Sequence, residues 1–247
     1  MMNRKRNPMN PVSATDETSE CRAPFTSFTE QPLRPEHLVT EAQRSNEPVL
    51  TAHSLAEVHL YVMVQICREC GEGPLRATMS QTETTGTGSR LTLQTRCAHC
   101  QDEGALRFVY PSESSGAAAG NLSRLNPTGD RSQILDVAQW VTLHRIMLEA
   151  ANRATEKAEA WELRCDAGEC IDEALRFFEP ESDLPPASAF LTSRSRRRLK
   201  DRPELYIRQS LLDARRKLPA RRAEGGKLRS IHSEQTRPWW QFWRTQA

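Results

Sequence analysis

The 247-residue sequence has no run of apolar residues near the ~18 to 20 that a membrane-spanning helix needs, and its basic opening, MMNRKRNPMNP, has no apolar core behind it. Neither a membrane span nor an export signal is expected, which points to a cytoplasmic location. Apolar residues supply only 37% of the chain and aromatic residues 6%, less than a compact domain of this length would use. Part of the chain is therefore expected not to pack. The signatures of catalysis are missing as well: there is no Gly-rich strand-to-helix turn, no GxSxG and no HExxH. The six histidines are scattered at positions 37, 53, 59, 99, 144 and 232. A protein that binds, and does not catalyse, is the expectation.

What the chain does have is a pattern of cysteines. Four of the seven form two Cys-x-x-Cys pairs, Cys67 with Cys70 and Cys97 with Cys100, separated by 26 residues. Each pair lets two thiolates on one tight turn point at a common ion, and two such turns complete a tetrahedral sulfur cage for zinc. With all four positions taken by sulfur, no site stays open for water or substrate, so a single structural ion is expected. His99, inside the second pair, is read as a surface residue. An iron–sulfur centre also uses four cysteines. A redox pair would need a strand-helix unit beside it, and paired disulfides would need export.

The residues between and after the pairs alternate with period two. Leu75, Ala77 and Met79 form one set, Leu91 and Leu93 a second, and Leu106, Phe108 and Tyr110 a third, with the polar turn TETTGTGS between the first two. Three antiparallel strands carrying two Cys-x-x-Cys knuckles resemble the zinc-ribbon family over roughly Val64 to Tyr110. Gly71 fits the permissive backbone that a knuckle requires. Arg68 stands where the family usually has proline after its first cysteine.

The fold class expected is α+β in several parts. Residues 1–47, polar and punctuated by proline, are read as a disordered segment that holds the isolated Cys21. Residues 48–111 are read as the ribbon, preceded by a short helix or strand: Ser54 and Glu57 have capping-box spacing, while the stretch from Leu60 to Ile66 also suits a strand. Residues 112–131 read as a linker, 132–218 as an α-helical hairpin or bundle, and 219–247 as a basic, Trp-rich disordered tail. Within the bundle, Ser132 is expected to cap a helix through about Ala150. A second helix is expected over about 152–178, with Trp161 and Cys165 on its inner stripe and Cys165 and Cys170 serving as packing residues. Shorter helices are expected near 193–201 and 203–217, the latter opened by Pro203. The pattern ILDVAQW…LHRIMLEAA…ECIDEALRFFE…LPP…ELYIRQSLLDARRKLP resembles a family of uncharacterised bacterial proteins, a resemblance that implies no activity.

Charge is unevenly spread. Residues 191–247 hold 16 Lys or Arg against 5 Asp or Glu, while 153–183 hold 4 against 10. The basic stretch SRSRRRLKDR is expected either to lie on that acidic helix or to meet an anionic partner. Strand alternation places Arg76, Arg90, Arg96 and Arg107 opposite the apolar face of the ribbon. The tail RPWWQFWR gathers Trp239, Trp240, Phe242 and Trp243 beside arginines, the favoured anchors of protein interfaces. The expected work is that of an adaptor recruiting another protein through the ribbon surface and the tail. The alternative is a nucleic-acid-binding regulator using the arginine face and the basic C-terminal region.

Overall fold

The computed structural model describes residues 48–85, 88–111 and 125–221. The segment read as disordered at 1–47, most of the linker and the aromatic tail lie outside the described residues. Four strands form one mixed sheet: β1 (Val49–Thr51), β2 (Leu75–Thr85), β3 (Gly88–Cys97) and β4 (Glu103–Tyr110), in the order β1-β4-β3-β2. The expected three-stranded antiparallel meander is present as β2-β3-β4. It is extended by β1, which pairs parallel to β4 with Leu50 opposite Phe108. Three residues, VLT, are too few to show alternation, so the sequence gives no sign of this strand.

Helix α1 (Leu55–Val64) closes the apolar face of the sheet. The Ser54 hydroxyl caps it, accepting from the Glu57 amide at 3.0 Å. Glu57 turns its carboxylate back to the His53 amide instead of to the cap residue itself. The helix runs to Val64, so the stretch Leu60 to Ile66 forms no strand. Val58, Leu60 and Val62 are buried with Leu91, Leu93 and Phe108, and Tyr61 meets Phe108 edge-on at 5.7 Å between ring centres. Each such side chain contributes about 1.5 to 3 kcal/mol on burial.

Between Ala77 and Met79 the register of β2 shifts by one residue. This bulge sends Met79 to the outer face beside Gln94, and its side chain is 68% exposed. The expected alternation of Leu75, Ala77 and Met79 is broken there, because a single extra residue exchanges the two faces of a strand.

The remaining elements are helical: α2 (Val137–Arg153), α3 (Lys157–Leu175), α4 (Ser193–Asp201) and α5 (Arg208–Arg216), with short 3-10 turns at Ala187–Ala189 and Pro203–Tyr206. Asp136, not Ser132, caps α2, in a capping box with Gln139. The Ser132 hydroxyl instead accepts from the Ile134 and Leu135 amides in the turn before it. Pro203 opens a 3-10 turn that ends before α5 begins. On α3 the inward stripe is Leu163, Ala167, Cys170, Ile171 and Ala174. Trp161 is 44% exposed, contrary to the expected inner position.

The sheet, α1 and the helices share one apolar cluster, which runs from Leu91 and Phe108 through Leu60 and Leu125 to Trp140, Leu143 and Met147. Leu125 and Asn126, within the stretch read as linker, are buried. The Ser54 hydroxyl donates to the Leu125 carbonyl at 2.5 Å, and the Leu125 amide donates to Glu169 at 3.4 Å, so this residue is held by both α1 and α3.

Candidate metal centre

Register brings the two knuckles together. Leu75, which opens β2, lies opposite Cys97, which ends β3, so the base of the hairpin sets one Cys-x-x-Cys turn beside the other. The turns are built alike. In the first, the Cys67 amide donates to Glu72 O at 2.6 Å and the Gly71 amide returns to Cys67 O at 3.0 Å. In the second, the Cys97 amide donates to Asp102 O at 2.8 Å and the Gln101 amide returns to Cys97 O at 3.1 Å. The Ala98 amide donates to Pro74 O at 3.0 Å and ties one knuckle to the other.

The four sulfurs converge. Cys67 Sγ stands 3.6 Å from Cys100 Sγ, Cys70 Sγ 3.7 Å from Cys97 Sγ, and all four lie within 4.8 Å of one another. A metal–sulfur bond of about 2.3 Å in a regular tetrahedron sets sulfurs about 3.8 Å apart, so the donor set fits a tetrahedral ion. Thiolates are soft ligands, which excludes magnesium or calcium as the natural occupant.

Backbone amides prepare the cage for charge. The Cys100 amide, with that of His99 at 3.3 Å, holds the Cys97 thiol down at about 6. The Asp102 amide favours the Cys100 thiolate, yet burial and the other sulfurs push that thiol up to about 12. Four crowded sulfurs cannot all be ionised without a cation among them. The imidazole of His99 is exposed; only its amide serves the cage. Among the described residues no other group of three His, Cys, Asp or Glu side chains converges in this way. Cys165 and Cys170 are buried within α3, as expected of packing residues.

The arginine face has a structure of its own. Arg76 lies opposite Arg96, Arg107 opposite Thr92 and Arg90 opposite Val109, so all four arginines share the outer side of the sheet. Glu83 pairs in register with Arg90, and Arg96 holds Glu103 with Nε at 3.0 Å and Nη2 at 2.5 Å. Two acids therefore sit among four cations. Trp239, Trp240, Phe242 and Trp243 lie outside the described residues.

A buried polar cluster escaped the sequence reading. Glu57, Asn126 and Glu173 are buried together with Ser132 and His53. Asn126 donates to Glu173 Oε2 at 2.8 Å, and Arg176 Nη2 stands 3.2 Å from the other oxygen of that carboxylate. Burial pushes Glu57 up, and burial pushes Glu173 up to about 7, helped by the nearby Glu57 carboxylate. Its members stand at positions 53, 57, 126, 132 and 173, and only the i, i+4 spacing of His53 and Glu57 could have hinted at it.

The basic segment does not lie on the acidic helix, the first of its two expected places. SRSRRRLKDR forms α4, which packs on α2 with Arg198 Nη1 donating to Thr142 Oγ1 at 2.8 Å. The acidic helix α3 is met instead by Arg215, at 2.8 Å from Asp172, and by Arg221, at 2.7 Å from both Glu162 and Asp166 and bonded also to Glu169. Gly168 makes room: a Cβ there would come within 3.3 Å of the Arg215 guanidinium. No family model, curated protein or solved structure matches this chain.

Proposed function

We propose that this chain is a zinc-stapled binding protein, working in a reducing compartment such as the cytoplasm, whose cage holds one structural zinc ion and fixes the end of the sheet for contact with a macromolecular partner. The convergence of the four sulfurs carries this reading. A closed set of four cysteine ligands leaves no coordination position for substrate, so the ion, when bound, supplies rigidity and charge neutralisation. Cys67, Cys70, Cys97 and Cys100 would hold it, and the amides at Cys97 would steady the thiolates. All six described cysteines are free, which suits a reducing compartment. The partner is proposed to be another protein: Glu83 and Glu103 dilute the arginine face that nucleic acid would need.

Elemental analysis of the purified chain tests the reading. One zinc per chain, lost on chelation together with thermal stability, is the expected result. Iron with visible charge-transfer bands would put a single iron or a cluster in place of zinc, and absence of any metal would overturn the reading.

A further inference from the structure

One face of α2 is only half covered. Thr142 is held by Arg198 of α4, while Val141, Arg145, Leu148 and Glu149 line an open groove of about 660 Å³ between α2 and the segment from Arg198 to Leu205. These positions fall at i, i+4, i+7 and i+8 from Val141, a single helical stripe. The floor is aliphatic, with Ile146, Leu148 and Leu205. The rim is cationic, with Arg145, Arg198 and Arg202.

The rim's charge is largely unspent. Arg145 has no carboxylate partner among the described residues, Arg198 holds only the Thr142 hydroxyl, and Arg202 reaches Glu204 at 3.9 Å in an exposed contact. Glu149, the one acid in the groove, is engaged by Arg153. Arg194, exposed one turn before Arg198, extends the cationic edge. These arginines face outward while Arg215 and Arg221 of the same basic region are already satisfied on α3.

We propose that this groove docks an acidic amphipathic helix of a partner protein. From Val141 to Asn152 the stripe spans about 16 Å, the length of three helical turns. Aliphatic side chains of a docked helix would fill the floor over Leu148, and its flanking carboxylates would meet the arginines. Nucleic acid fits less well, because bases seek aromatic platforms and the only aromatic lining residue, Tyr206, is buried. The proposal rests on the reading of the chain as a binding protein.

Fluorescence anisotropy with the full-length, metal-loaded chain tests it, at about 150 mM salt to screen loose charge contacts. The probe is a labelled designed peptide of about five turns, with leucine at helical spacing on one side and glutamate on the other. A version with lysine in place of glutamate and a thymidine oligonucleotide serve as comparisons. The acidic peptide is expected to bind, and Arg145→Glu and Leu148→Glu are each expected to weaken it about tenfold or more. Arg145 is exposed, so its variant reads the rim without disturbing the core. Failure of the acidic peptide to bind, equal binding of the lysine peptide, or an oligonucleotide that binds regardless of Leu148→Glu would each overturn the proposal. Metal content is measured on the same samples. Failure of the native chain to bind the acidic peptide with its cage intact counts against the groove alone, whereas a metal-free native chain counts against the binding reading beneath it.

Discussion

Gly71 and Gln101 occupy the same step of their two knuckles, each four residues beyond the first cysteine of its pair, with φ of 70° and 64°. One position has the residue that tolerates this backbone freely; the other holds a side chain at a cost of about 1 to 2 kcal/mol. Gly71→Ala is expected to destabilise the metal-loaded protein by about 1 kcal/mol, although nothing would clash with the new Cβ. Gln101→Gly should gain about 0.5 kcal/mol, since relief of strain outweighs the added chain entropy and the lost 3.2 Å bond from its side chain to Ala98 O. Denaturant titrations of both variants in zinc-buffered solution check the opposed signs.

Cobalt titration separates ligand from bystander within the second knuckle. Cys97→Ser is expected to weaken metal binding more than about a hundredfold, beyond what the loss of a supporting contact costs. His99→Ala should stay within about tenfold of the parent, because the amide that serves Cys97 remains. Thiolate-to-cobalt absorption reads both.

Glu173 gives a pH dependence with a definite sign. Its pKa is higher in the folded chain, about 7, than the ordinary 4.5, so its contribution to stability is whole below about 4.5 and is lost as pH rises through about 7. Glu173→Gln keeps an acceptor for Asn126 and removes the buried charge. The variant should gain about 2 kcal/mol relative to the parent at pH 8 compared with pH 5, less whatever the Arg176 contact returns. His144 works in the opposite sense: burial lowers its pKa, and its neutral ring bonds Ala167 O at 3.0 Å, so stability falls as pH drops below about 6.5. Chemical denaturation across pH 5 to 8, with His144→Gln as a second background, resolves the two.

Arg221, with Arg215, anchors the basic C-terminal region to α3. Asp166, one of its partners, is 1% exposed, and weakening the pairing of a buried carboxylate is costly. Arg221→Met is expected to lower stability by about 2 to 4 kcal/mol, and pairing it with Asp166→Asn should recover part of that loss. Thermal melts of the four species of the cycle decide it.

The sulfur cage was legible because its ligands recur at a fixed spacing that has few other uses. The strands β3 and β4 were legible through Leu91, Leu93, Leu106 and Phe108, which alternate without interruption. Elsewhere the physics was not local. The bulge at Met79 is a pairing property of two strands, and β1 exists because β4 offers it an edge. Asp136 took over from Ser132 as cap because Gln139 could close the box and because its other oxygen accepts the Leu191 amide at 3.1 Å, 55 residues away. Trp161 faces outward because helical spacing sets it on the side of α3 opposite Leu163, Ala167, Cys170 and Ala174, which take the inner stripe. The sulfur cage is not the only anchor of the sheet: Leu91, Leu93 and Phe108 have a hydrophobic nucleus of their own, under α1.

The continuous apolar cluster bears on how the molecule can be divided. A fragment cut after Pro111 would keep every cage cysteine and still leave Leu60, Leu91 and Phe108 without the cover that Leu125 and Trp140 help to give. Such a piece would be adhesive in solution, and affinities measured with it would report bared core in place of native surface. Excision at the helical side would strip Trp140 in the same way, so dissection by point substitution in the intact chain is the sounder route.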